Sequence, residues 1–514
     1  MVQQLGGFAA GAAFGMLSET ARETLKLRIL DAVGCAVGAL GSGVLRSVRA
    51  EIADMGGRQL CTLIGGGRTA PDRAAFFNGA AVRYLDFNDS YLAPKETCHP
   101  SDNLAPVLAA AEYADADGKD LLTALAVAYQ VQCRLSDVAP VRAHGFDHVT
   151  QGAYAAAAGV ARALGLDTAS TAHAIAIAGT AFNALRVTRT GALSNWKGLA
   201  FPNVAFGAMH AAMLARHGIT GPAEVFEGNK GFMEAIAGPF EIDWSRENLE
   251  KVTETVVKRY NAEIHSQSTL EAVLELRAEG AIDPAQVARV EVDVFDVAYN
   301  IIGGGEEGSK KLIRTKEEAD HSIPYLVAVA LLDGQVLPAQ FAAERIRRDD
   351  VQDLLQRVEV HPDPELSAHF PEEHGCRVKI FLRDTRGLAR EKRDYLGFRT
   401  RPMGWEEVLQ KFHDLADPVA GEQLAGQIAA GIRRLEEMTA ADLCRLLGRV
   451  RRPRGVKEER YGRAARVRLP AHEQAPDQGA DPGRDRDPGT VLQRRRKTLP
   501  GGSFRGLRRL RRHP

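Results

Sequence analysis

Between about residue 20 and residue 214, apolar side chains recur three and four positions apart, as in Leu25, Ile29, Leu30, Val33 and Val37. That period belongs to helices with one buried face, so the stretch predicts helix after helix. The faces that look buried carry small side chains, among them Ala153, Ala155, Ala156, Ala157, Ala158 and Val160, which let neighbouring helices approach closely. Gly145, Gly165 and Gly218 stand where periodic segments end, and Ser18 and Asp167 stand where N-caps belong. After about Gln267 the pattern changes. A helical piece at 269–279 gives way to β-branched runs at 287–297 and 358–361, and 377–383 reads as a hairpin arm before a turn at 384–387. Helical periodicity returns from 405 to about 447. The prediction is a mostly α chain: a large all-helical domain over 1–267 and 403–447, with a smaller α+β lid domain, 268–402, inserted before the C-terminal helices.

With 514 residues, 45% hydrophobic and 26% charged, the chain can fill the cores of two or more domains. Its formal net charge is zero but unevenly spread: from 448 onward 20 Lys and Arg face 7 Asp and Glu. Residues 448–514 also have few aliphatic side chains and predict a basic, disordered tail. Such a tail could touch an acidic surface or nucleic acid; a solvated extension is the simpler expectation, and no nucleic-acid partner is expected. Six cysteines lie singly, with no C-x-x-C pair to seat zinc or an iron–sulfur cluster, so reduced thiols in a cytoplasmic protein are expected. The apolar stretches are too short or interrupted to span a bilayer, and no membrane association is expected. There is no G-x-G-x-x-G after a strand, no Walker loop, no G-x-S-x-G and no H-E-x-x-H. These absences argue against nucleotide enzymes, α/β-hydrolases and zincins, and neither a cofactor nor a metal is expected.

Three polar segments interrupt the apolar pattern. The first, 84–103, reads YLDFNDSYLAPKETCHPSDN and places Asp86, Asp89, Ser90, His99, Ser101 and Asp102 in one loop between Ala-rich helices. It offers donors, acceptors and an imidazole titrating near neutrality, although Pro100 to Asn103 would equally start a helix. The second, 186–198, reads RVTRTGALSNWKG; Arg186, Arg189 and Lys197 have no acid nearby and call for anions from elsewhere, which a polycarboxylate substrate would supply. A solvated basic turn is the alternative. The third, 258–267, reads KRYNAEIHSQ and sets Glu263 and His265 two apart, with Gln267 beside them, at the seam of the two inferred domains. His148 and the pair Asp320, His321 are weaker candidates.

Together these segments resemble the MmgE/PrpD family over about 5–447. LDFND followed by HPSDN, and AEIHSQ, are similar to the signature of its 2-methylcitrate dehydratases; LSNWKG with GITGPAEVFEGNKGF resembles its MmgE branch, and DHSIPYLVAVALLDG a motif of its smaller domain. The resemblance implies a homodimer with the active site in the cleft between the two domains. It implies a hydro-lyase acting on a small polycarboxylate, most simply 2-methylcitrate to 2-methylaconitate in the methylcitrate cycle of propionate catabolism, without an iron–sulfur cluster. The family member that decarboxylates cis-aconitate has an Asp, a Thr, a His and a Lys matching Asp86, Ser90, His99 and Lys197. Its next site histidine falls on Glu263, whereas His265 sits where the dehydratases have theirs. The expected catalytic residues are therefore Asp86, His99, Lys197 and His265, with Ser90, Ser101, Arg186, Glu263 and Gln267 binding substrate. His99 or His265 would be the base, Asp86 would orient or protonate, and Lys197 with Arg186 would clamp carboxylates. An epimerase, isomerase or decarboxylase of a related acid is the alternative within the family. A non-catalytic binding protein tethered by its tail is the alternative outside it.

Overall fold

Ser18 opens the first long helix, Glu19–Gly38, by accepting a hydrogen bond from the Ala21 amide at 3.0 Å. Leu25, Ile29, Leu30, Val33 and Val37 all lie on its buried face. Asp167 caps Thr168–Ala181 in the same way, through the Ser170 amide. The computed structural model describes residues 1–280 and 282–451, and among them helices dominate, with only small sheets. Val149–Ala163 packs against Gly118–Val138, Thr168–Ala181 and Ala200–Arg216. Its small residues are required by that approach: a Cβ on Gly152 would stand 2.4 Å from the Phe201 ring, and one on Gly159 would stand 2.9 Å from Ala128.

The change of texture after Gln267 corresponds to a four-stranded sheet. Val287–Val294 pairs parallel with Val358–Pro362 and antiparallel with Cys376–Leu382, which forms a hairpin with Gly387–Lys392. Helices Gln267–Gly280 and Ile323–Asp333 cover it. The β-branched run at 287–297 ends as a strand at Val294; Asp296–Ala298 and Tyr299–Gly303 wind instead, since Asp296 and the following glycines favour turns.

Two large apolar cores result among the described residues, with two small clusters around Tyr395 and around Tyr91 beside them. The first gathers residues from Val2 to Val257 and again from Met403 to Val450, so Phe412, Leu415 and Leu443 of the late helices return to it. The second runs from Ala262 to Leu382. Residues 258–267 run between the two. Packing continues to Val450, three residues past the expected end. The expected tail lies outside the described residues from 452 onward. All six cysteines are free and buried. Among the described residues no single helix is long and apolar enough to cross a membrane.

Candidate active site

The three polar segments, distant in sequence, meet between the two cores. Helix Pro71–Tyr84 ends just before Asp86, which adopts a left-handed conformation, φ 57°. That conformation is uncommon for a side chain other than glycine and is held by surrounding contacts. The Asp86 carboxylate accepts from Arg83 at 2.6 Å and Lys258 at 2.8 Å, and its Oδ2 lies 3.2 Å from Lys197. Lys197 also donates to Asp320 at 2.5 Å, and Asp320 takes a further bond from Lys316 at 2.6 Å. Burial pushes the Asp86 carboxyl up, but Arg83, Lys258 and Lys197 outweigh it and hold it well below its usual range. Asp320 is likewise pushed up by burial and brought down further by Lys197 and Lys316. That direction favours the orienting role expected of Asp86 over the protonating one, and its contact with Lys197 fits it.

His99 follows the small hairpin of Tyr91–Leu92 and Thr97–Cys98. Its Nδ1 lies 2.9 Å from the Asp89 carbonyl and 3.0 Å from the Ser90 hydroxyl. A carbonyl only accepts, so Nδ1 carries the proton and Nε2 keeps its lone pair. Burial, with Arg83 and Lys258 nearby, pushes the His99 pKa well down, so the ring is neutral at neutral pH. His321, a weaker candidate in the sequence, belongs to the same cluster: its Nδ1 is 2.9 Å from Asp320 and 3.6 Å from Asp86. Burial pushes it down to about 3. His148 meets His99 edge to face at 5.3 Å, with its Nδ1 3.1 Å from Asp147.

Across the seam, Glu263 Oε2 accepts from the His265 amide at 2.7 Å, while Oε1 lies 3.7 Å from His265 Nε2. Burial pushes the Glu263 carboxyl up to about 7, against the pull of Lys258. His265 is fully buried, with its pKa pushed well down by burial first and then by His374. The Glu263 amide donates to the Asp320 carbonyl at 3.0 Å, so this pair and the Asp320, His321 motif are tied backbone to backbone.

Three expected binding residues have partners within the chain. Gln267 exchanges hydrogen bonds with the backbone of Tyr260 at 2.9 and 3.0 Å and braces that turn. Ser101 accepts from Asn88 at 2.9 Å, and its amide donates to Asp89 at 3.0 Å, so it braces the 84–103 loop from behind. Arg186 pairs with Glu307 and lies 3.5 Å from Asp147, which also binds Arg189 at 2.9 Å. The missing anions of 186–198 come from elsewhere in the chain.

A divalent cation has donors available, since Asp86, Asp320 and His321 offer ligand atoms within 4.8 Å of one another. Lys197 already places its ammonium between the two carboxylates. The crevice beside this cluster, lined by Arg83, Tyr84, Asn195 and Lys316, holds only about 10 Å³.

The MmgE/PrpD N-terminal domain model matches residues 3–245, and the MmgE/PrpD C-terminal domain model matches 260–437. The chain belongs to the MmgE/PrpD family. Among curated MmgE/PrpD relatives, a cis-aconitate decarboxylase of Mus musculus is 26% identical over 489 residues, 89% of this chain and 95% of its own. A 2-methylcitrate dehydratase of Escherichia coli (strain K12) is 28% identical over 459 residues, covering 82% and 92%. One from Cupriavidus necator is 29% identical over 461 residues, covering 82% and 91%. Both named activities are lyase reactions. The MmgE/PrpD reading of the sequence singled out neither Arg83 nor Lys258, Lys316 or Glu307, although each makes an ion pair in the cluster. Their only signal in the sequence is a charge beside a polar motif.

Proposed function

We propose that this chain is a hydro-lyase that removes water from a small polycarboxylate, 2-methylcitrate first, without an iron–sulfur cluster. The observation that carries this reading is a charge imbalance: three buried cations, Arg83, Lys197 and Lys258, and the part-buried Lys316 face three carboxylates, those of Asp86, Asp320 and Asp102. Buried charge of one sign is costly, and a polyanionic ligand offsets it. The names of the relatives, both kinds acting on such acids, support the same substrate class. A homodimer is inferred from the family resemblance, and a cytoplasmic location from the singly placed cysteines and the short apolar stretches.

Dehydration needs a base for a proton next to a carboxylate and an acid for the departing hydroxyl. His99 Nε2, unprotonated and held by its Nδ1 contact, takes the proton; the C–H pair becomes the new double bond as the C–O bond breaks. The leaving hydroxide takes the proton of Glu263, a carboxyl that burial keeps partly protonated at neutral pH, and departs as water. His265 can exchange roles with His99, because it too is neutral and borders Glu263. Lys197 neutralises the charge that builds on the carboxylate beside the reacting carbon. Glu263 stands where the decarboxylase has a histidine, which favours dehydration over decarboxylation.

The first test is ultraviolet absorbance of the chain with chelator present, mixed in turn with 2-methylcitrate, citrate and cis-aconitate. A rise in the unsaturated-acid band, fastest with 2-methylcitrate, is expected; silence with all three would overturn the reading. A second expectation concerns pH. Glu263 is raised from 4.5 to about 7, so its proton is fully held below about pH 4.5 and lost as pH rises through about 7. Any stability it contributes follows the same course. kcat/KM should therefore fall on the alkaline side from about pH 7. Glu263→Gln should remove that limb and lower the rate about 10²- to 10⁴-fold; an unchanged pH profile in the variant would discard Glu263 as the acid.

A further inference from the structure

A second crevice, of about 60 Å³, lies along the seam, and the mechanism above does not use it. One part of its lining is polar, with Thr97 in the 91–98 hairpin and Arg142 in the turn after helix Gly118–Val138. The other part is apolar and comes from the sheet-bearing side: Val297, Ile301 and Phe370, of which Val297 and Phe370 are half-buried. The crevice borders the Glu263 and His265 pair. Thr97 Oγ1 lies 3.5 Å from His265 Nε2, an atom that is also 3.7 Å from Glu263 Oε1, and the Phe370 ring meets the His265 ring edge to face at 5.6 Å. Arg142 is the cation here with donors to spare. Its amide donates to Glu96 at 3.1 Å, but its guanidinium makes no hydrogen bond among the described residues, and Glu306 and Glu307 stand off at 3.7 and 3.6 Å. Arg186 also borders the crevice but is held by Glu307.

We propose that this crevice receives the methyl-bearing end of the substrate, Arg142 taking its carboxylate and Val297, Ile301 and Phe370 its methyl group. The proposal rests on the 2-methylcitrate reading above. In that acid the carbon that gives up the proton carries both a methyl and a carboxylate. A guanidinium and an apolar surface sharing one crevice, beside an imidazole and a carboxyl, match that pair of substituents. Citrate has only a hydrogen where the methyl stands and leaves the apolar part of the crevice unfilled.

The test is initial-rate kinetics of the full chain with 2-methylcitrate and with citrate, followed by the absorbance of the unsaturated acid. Ile301→Ala should cut the preference for 2-methylcitrate over citrate by about 10-fold or more, the scale on which an apolar pocket reads one methyl group. Val297→Phe, which fills the crevice from a half-buried position, should cut that preference too, and it decides the matter if Ile301→Ala does not fold. Arg142→Leu should lower kcat/KM for both acids by about 10- to 100-fold, chiefly through KM, and keep the preference. A preference that survives both apolar substitutions overturns the methyl role, and an unchanged kcat/KM in Arg142→Leu overturns the carboxylate role. Wild type that turns over citrate as well as 2-methylcitrate overturns the proposal and leaves the hydro-lyase reading intact. Wild type that dehydrates neither acid overturns that reading, and this proposal with it.

Discussion

Lys197→Ala is expected to lower kcat/KM by about 10³-fold or more, the scale of losing one electrostatic group aimed at a developing charge, while the chain stays folded. Lys197 is the one cation in contact with both Asp86 and Asp320 among the described residues, at 3.2 and 2.5 Å. Its removal leaves neither carboxylate stranded: Asp86 keeps Arg83 and Lys258, and Asp320 keeps Lys316 and His321. Steady-state kinetics and a circular-dichroism melt on the same preparation decide the matter. A variant within tenfold of wild type, or one that fails to fold, would remove Lys197 from its proposed role.

The second large effect is on stability. Lys411, 5% exposed, meets the carboxylate of Asp31 at 2.6 Å and donates to the carbonyls of Phe87 at 2.7 Å and Lys258 at 3.0 Å. Asp31 has no other charged partner among the described residues. Lys411→Met leaves that carboxylate buried and uncompensated, and about 3–5 kcal/mol of stability should go with it. The double variant Lys411→Met, Asp31→Leu should recover most of the loss, because replacing both members of a buried pair by apolar groups is often neutral. Urea unfolding of the wild type, both single variants and the double variant measures the coupling; a single variant that unfolds with the wild type would refute it. Since Phe87 and Lys258 flank the site loop and the seam, the single variant should also lose activity.

The helical domain was legible because its period is local: the residues that cap, pack and end each helix lie within a few positions of one another. The three polar segments were legible for a related reason, since charged and amide groups clustered between Ala-rich helices stand out without knowledge of their partners. Partnership itself was not legible. Lys258 opens the third polar segment without being singled out, yet it is fully buried and pairs with Asp86, 172 positions earlier in the chain. Arg186 looked unmatched because Glu307 lies 121 positions away. Gln267 and Ser101 show the converse: an amide or hydroxyl in a polar motif has the same identity whether it faces a ligand or braces a turn.

The stitching between the cores limits how this chain can exchange parts with its relatives. Three contacts run from the 186–198 segment to the 303–321 segment: Lys197 to Asp320, Arg186 to Glu307, and Asn195 to Glu317 at 2.8 Å. A hybrid that grafts the sheet-bearing half of a cousin onto this helical half inherits only one side of each pair. Its viability then turns on whether those three donor–acceptor matches are kept, far more than on overall identity. Crossover points that keep all three on one parental side should yield working hybrids at identities where random junctions fail.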